Sequence, residues 1–222
     1  MPLVTHTPSG DILLHSPRAG GVYSRWSTRA HSPGTYGASV VAALNASVAR
    51  GARVLALGLG GGAIQAELLC HGLAREVVTV EHSAQIAQLV SRTFFPAMFD
   101  SPACSVRGAR GRMGVVLGDA TNGTLLRSLA ERGRFDAAVA DMEPVYLAPA
   151  TMPLPAWAAL SSALRPRGLL VCNTIFADRG GTRLLAARLK RSGWRDTQAA
   201  LVGPKWRPGA NVLLTARSAS RA

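Results

Sequence analysis

The sequence predicts an α/β protein: one doubly wound, mainly parallel sheet with helices on both faces, preceded by a small N-terminal cap. Three observations predict it. Short apolar runs alternate with stretches of helical periodicity from residue 36 onward, which is the pattern of βαβ units. A cluster of glycines, Gly58, Gly60, Gly61 and Gly62, stands between the first such run and the helical stretch after it. Three of the twelve acidic residues, Glu81, Asp119 and Asp141, fall at the C-terminal tips of predicted strands.

Val54 to Leu57 is apolar on every position, as in a strand buried on both faces of a parallel sheet. The glycines end it, and from Ala63 the residues Ile64, Leu68 and Leu69 recur at helical spacing. A strand, a glycine turn and a helix in that order let a ligand reach the main chain with no Cβ in the way. A tight turn without a ligand is the plain alternative. Val77 to Glu81 is the second strand, and a carboxylate about 20 residues beyond the turn is placed to accept both hydroxyl protons of a ribose.

The remaining elements follow in order. Residues 1 to 35, rich in Pro, Gly, Ser and Thr, are read as a cap or hairpin with short strands at Ile12 to Leu14 and Gly21 to Trp26. Residues 36 to 222 form the main domain. A helix runs from Tyr36 to near Gly51, and another over 83 to 94, with Ser83 as N-cap and a stop before Pro96. Residues 96 to 113 read as a surface loop. Strand 115 to 117, helix 122 to 132, strand 135 to 141, helix 154 to 164, the turn 166 to 168 and strand 169 to 174 continue the alternation. Helix 180 to 192 leads to strands 196 to 202 and 212 to 216, whose connection is too short for a helix, so these two are antiparallel.

Composition sets the remaining bounds. The chain of 222 residues is long enough to bury a full core, and no run approaches the apolar length of a membrane span. The N-terminal residues lack a basic region followed by an apolar core, so a cytoplasmic protein is expected. Cys70, Cys104 and Cys172, odd in number and widely spaced, read as reduced packing thiols. The five histidines do not combine with them at metal-site spacings, so no metal is expected. The formal charge is +13, nearly all from arginine. Dense patches at Arg107, Arg110 and Arg112, and at Arg183, Arg188, Lys190, Arg191 and Arg195, are either a solvated basic surface or a site for nucleic acid.

The C-terminal edge of an open α/β sheet is where its ligand binds. Glu81 is read there as a ribose ligand, against a solvated loop acid. Asp119 is read as a partner of an adenine amino group, against an N-cap for the helix at 122 to 132. Asp141 is the catalytic candidate, with Glu143 beside it, and each also has a structural alternative.

These residues carry a resemblance. Leu-Gly-Leu-Gly-Gly-Gly at 57 to 62, Val-Glu at 80 and 81, Gly-Asp-Ala at 118 to 120 and Asp-Met-Glu-Pro at 141 to 144 resemble the class I S-adenosylmethionine-dependent transferases, and within them the spermidine synthase-like branch. The resemblance covers about residues 36 to 217. It implies a Rossmann-like seven-stranded sheet of order 3-2-1-4-5-7-6 with strand 7 antiparallel. It also implies that Gly58, Gly60 and Gly62 border the cofactor, that Glu81 holds the ribose, and that Asp119 and Ala120 flank the adenine. Asp141 then matches the acid that orients and deprotonates an attacking amine, and Glu143 stands in place of a second aspartate.

Three departures shape the functional reading. Aminopropyltransferases carry an aspartate where this chain has Gly61, an acid where it has His82, and a glutamine where it has Asn173. A polyamine needs several carboxylates around its charges, because unpaired buried cations are costly. The Gly-Leu-Gly-Gly-Gly turn and Asn173 instead resemble the spermidine synthase-like methyltransferases, which implies methyl transfer from S-adenosylmethionine to an amine or similar nucleophile as the first reading. An aminopropyltransferase using the decarboxylated cofactor is the alternative, and a non-catalytic, basic nucleic-acid-binding relic is the second. The expected partners are the cofactor, an acceptor protein or amine, nucleic acid through the arginines, and a second copy of the chain, with no membrane.

Overall fold

The computed structural model describes residues 3–15, 22–26, 34–99, 111–142, 145, 151–174, 179–202 and 211–219. Two sheets are present among them. Strands β1 (Leu3–His6), β2 (Ile12–His15) and β3 (Val22–Trp26) make a three-stranded antiparallel sheet. The seven-stranded sheet contains β4 (Ala52–Leu57), β5 (Ala74–Glu81), β6 (Arg112–Leu117), β7 (Phe135–Ala140), β8 (Leu164–Thr174), β9 (Arg195–Leu201) and β10 (Val212–Arg217). Its order is β6-β5-β4-β7-β8-β10-β9, and β10 runs antiparallel to both its neighbours. With the strands counted from β4, this is the expected 3-2-1-4-5-7-6 arrangement.

Among the described residues, six helices flank the large sheet: α1 (Gly34–Asn45), α2 (Ala63–Cys70), α3 (Ala84–Phe99), α4 (Gly123–Glu131), α5 (Leu154–Ala163) and α6 (Arg179–Arg191). One face of β4, β7 and β8 packs on α1 and α2 through Val40, Leu44, Ile64 and Leu68. The other face packs on α4, α5 and α6 through Leu126, Trp157, Leu160 and Leu185, joined by Trp194 from the turn after α6. Burial on both faces is why β4 is apolar throughout, and all six of its residues are buried. The small sheet closes a third core, in which Ile12, Leu14 and Trp26 meet Leu59, Ala66, Val90 and Phe94 of the glycine turn, α2 and α3.

Several element boundaries differ from those expected. Helix α3 continues through Pro96 to Phe99. Proline removes one helical hydrogen bond at a cost of about 3 kcal/mol, but the two residues before it are anchored: Phe94 is fully buried in the third core, and Phe95 packs against it. Tertiary burial overrides the local breaker. Strand β6 begins at Arg112 rather than Val115, because Arg112 and Met113 pair with Glu76 and Val77. Strand β8 begins at Leu164 and takes in the turn at 166 to 168, where Arg167 has a φ of 60°. Strand β1 carries no signal that composition revealed. It pairs with β2 from Leu3↔His15 to His6↔Ile12.

The reduced-thiol expectation fails at Cys70, which is disulfide-bonded. Cys172 is a free, buried thiol whose pKa is raised by desolvation. The cysteines therefore lend no support to a reducing compartment. No helix among the described residues is long and apolar enough to cross a membrane.

Candidate active site

The site lies where the C-terminal ends of β4, β5 and β7 come together. Gly58 follows β4 with φ 94°, and its N–H donates to Val80 O across to β5. A Cβ at this position would collide with the backbone carbonyl oxygen of Asp141. Only glycine permits both that backbone conformation and that approach. Gly62, with φ 73°, caps α2 and faces the Phe95 ring, again with no room for a Cβ. Buried Gln65 on the first turn of α2 donates from Nε2 to Gly58 O at 3.1 Å, which fixes the turn from below.

Glu81 ends β5 and is 4% exposed. Its Oε2 accepts from the N–H of Leu59 at 3.0 Å, inside the glycine turn, and its Oε1 accepts from the N–H of Ser83 at 2.8 Å. The imidazole of His82, mostly exposed, stands 3.2 Å from the same Oε1. A carboxylate offers about four lone-pair positions, so two such bonds leave Glu81 with capacity to accept more. The glycine turn and the carboxylate are thus joined by a direct hydrogen bond. Ser83 Oγ accepts from the N–H of Ile86 at 3.2 Å, so Ser83 caps α3 as expected.

Asp119 follows β6 and is exposed, with Ala120 buried beside it. Its Oδ1 accepts from the N–H and hydroxyl of Thr121, both at 2.7 Å. The N-cap role belongs to Asn122, whose Oδ1 accepts from the N–H groups of Thr124 and Leu125. That excludes Asp119 as the cap of α4 and leaves its Oδ2 outside this local turn.

Asp141 sits one residue beyond β7, and its N–H donates to Leu57 O. Asn173 near the end of β8 donates from Nδ2 to Asp141 Oδ1 at 2.9 Å. Desolvation raises the pKa of the Asp141 carboxyl above the ordinary carboxylate range, while hydrogen bonds from Asn173 and Tyr36 pull it down. Asn173 is 3% exposed, and its Oδ1 is buried with no hydrogen-bond partner among the described residues. A buried acceptor of this kind is a place where a bound donor is expected. Glu143, Arg107, Arg110 and Cys104 lie outside the described residues.

Two contributors escaped the sequence reading. Tyr36 was read only as the first residue of an apolar helical stripe. Because α1 precedes β4, the start of the helix lies at the ligand edge of the sheet, and a hydroxyl-tipped aromatic there is the available signal. Ser24 of β3 carries no signal at all. Its Oγ accepts from the N–H of Gly61 at 2.8 Å, which pins the small sheet to the glycine turn. No group of three or more His, Cys, Asp or Glu side chains among the described residues could hold a metal ion.

This sheet order and glycine-turn site define the class I fold shared by spermidine synthase and S-adenosylmethionine-dependent methyltransferases. The structure of spermidine synthase from Thermotoga maritima aligns with 99% of this chain and 72% of that one, at TM-score 0.62 and 16% identity. The N-methyltransferase NodS from Bradyrhizobium japonicum WM9 covers 82% of this chain and 94% of its own at TM-score 0.54 and 14% identity. A TehB-like SAM-dependent methyltransferase from Corynebacterium glutamicum covers 82% and 86% at TM-score 0.56 and 17% identity. No family model and no curated protein matches the sequence.

Proposed function

We propose that the protein is an S-adenosylmethionine-dependent methyltransferase that methylates an amine or similar nucleophile. The observation that carries this reading is the contact between Gly58 and the main chain of Asp141, which sets the nucleoside-binding turn directly against a desolvated, hydrogen-bonded carboxylate. The residues fit the cofactor. Gly58 and Gly60 present bare backbone, and Glu81 retains acceptor capacity for a ribose. Asp119 and Ala120 would flank the adenine. When bound, the cofactor supplies an electrophilic methyl group on a sulfonium sulfur.

Asp141 would accept a hydrogen bond from the amine acceptor, orient the nitrogen lone pair and take up the proton that the amine gives up, while the cofactor would supply the methyl group and depart as the neutral thioether. The raised pKa makes Asp141 a stronger proton acceptor than an ordinary carboxylate. Asn173 and Tyr36 hold the carboxylate in one orientation. Glu143 would add a second carboxylate to the acceptor side.

Methyl rather than aminopropyl transfer is favoured by the surroundings of Gly61. A Cβ there would lie 2.7 Å from Ser24 Cβ and 2.9 Å from Phe94 Cε1, so the aspartate of aminopropyltransferases has no room. Favouring the alternative is the 99% coverage of this chain by spermidine synthase. Incubation with S-adenosylmethionine and with its decarboxylated form, in the presence of amine acceptors, tests the choice. The methyltransferase releases S-adenosylhomocysteine from the first. Methylthioadenosine from the second, with no turnover of the first, would overturn it.

A further inference from the structure

A row of arginines lies at the end of the sheet opposite Glu81, Asp119 and Asp141. Strand register places Arg112, Glu76, Arg53 and Asp136 in one line at the end of β6, β5, β4 and β7 remote from the site. The line continues through the Arg165 to Gly168 turn of β8 to Arg217 and Arg195, which are paired on β10 and β9. Every strand of the large sheet therefore brings a charged residue to this edge, and six inter-strand steps make it about 29 Å long. The C-terminal turn of α6 adds Lys190 and Arg191.

Carboxylates neutralise only part of the row. Glu76 pairs with Arg53 and stands 4.0 Å from Arg112, and Asp136 pairs with Arg165 at 2.7 Å. Glu131 and the exposed Asp196 also lie at this end. Arg75, Arg167, Lys190, Arg191 and Arg195 are exposed and form no ion pair among the described residues.

The geometry points to this edge as a docking surface for the sugar-phosphate backbone of a nucleic acid. Linear extent and guanidinium chemistry favour it, since arginine forks match phosphate oxygens and a row of this length spans about eight nucleotides of one strand. The exposed large apolar side chains among the described residues, Leu3, Val115, Leu117 and Leu184, do not belong to the row. With no apolar wedge, a lipid surface is less well matched. Binding of this kind neutralises phosphates and carries no base sequence information.

The test is fluorescence anisotropy of labelled DNA and RNA duplexes between about 50 and 200 mM salt, using the whole chain. Reversal of charge at three edge positions, R167E/R191E/R195E, is compared with reversal at three helix positions, R92E/R127E/R183E, which changes net charge equally. The edge variant is expected to lose at least about tenfold in affinity and to flatten the salt slope by about 0.9 for each phosphate contact removed, with the control close to wild type. Single Arg→Gln changes at the three edge positions carry the test if the triple variant fails to fold. Equal losses in both triple variants would overturn the inference, as would binding to anionic vesicles without binding to either duplex.

Discussion

Asn173 Nδ2 donates to Asp141 Oδ1 at 2.9 Å, joining the ends of adjacent strands β8 and β7 across the candidate site. That bond and the one from Tyr36 favour the ionised carboxylate, whereas burial opposes it. Asn173→Ala and Tyr36→Phe each remove a group that lowers the pKa. The acid limb of a kcat/KM against pH profile is therefore expected to move to higher pH in both variants. An unchanged limb with a merely reduced plateau would show that the two side chains do not act through Asp141.

Asp141→Asn removes the proton acceptor and is expected to abolish turnover while leaving S-adenosylmethionine affinity, measured by calorimetric titration, within about twofold. The same substitution affects stability with a definite sign. The folded state holds the Asp141 proton at a pH where the unfolded chain has released it, so wild-type stability falls as pH rises from the unfolded to the folded pKa. The Asn variant lacks this loss, and the gap between the two in denaturant midpoint should widen over that interval.

Glu81 serves the fold in addition to its proposed role toward a ribose. Glu81→Ala leaves the N–H of Leu59 buried and unpaired, at a cost of about 1 to 3 kcal/mol. Cofactor affinity should fall by more than tenfold, the ribose contact being lost together with the shape of the turn. Retained affinity in a folded variant would remove Glu81 from the site.

Substitution to alanine should separate the glycines by their surroundings. Gly51 has φ 76° but open space around a Cβ, so alanine there costs only backbone strain, about 1 to 2 kcal/mol. Gly58→Ala adds a collision with Asp141 O, and urea unfolding is expected to show a clearly larger loss. Gly61→Asp should destabilise rather than create aminopropyl transfer, because Ser24 and Phe94 already fill the space.

At the opposite edge, Arg53 is bonded to Glu76 and Gly133 O and lies 4.3 Å above the Phe135 ring. Arg53→Met leaves Glu76 with only the exposed Arg112 at 4.0 Å and strands the Gly133 carbonyl. A loss of about 3 kcal/mol is expected with little effect on cofactor affinity.

Periodicity made the alternating strands and helices legible, and the positions of glycines and acids made the ligand edge legible. Glu81 and Asp141 could be placed because a strand followed by a polar tip is a local pattern. Tyr36, Ser24 and the orphan oxygen of Asn173 could not, since their roles arise from residues distant in the chain meeting at one edge. Pro96 misled for a related reason: the force that carries α3 through it comes from the burial of Phe94, not from the local sequence. The N-cap of α4 went to Asn122 rather than Asp119 because Thr121 draws the aspartate back onto its own loop.

The bare Cα of Gly58 against the carbonyl of Asp141 means that the distance between the glycine turn and Asp141 is gauged by main chain, not by adjustable side chains. Widening the gap to admit a longer transferred group would require prising β4 from β7 at their tips. On the proposed function, such a chain would change its acceptor by altering the surrounding loops while the spacing between the glycine turn and Asp141 stayed set by the sheet.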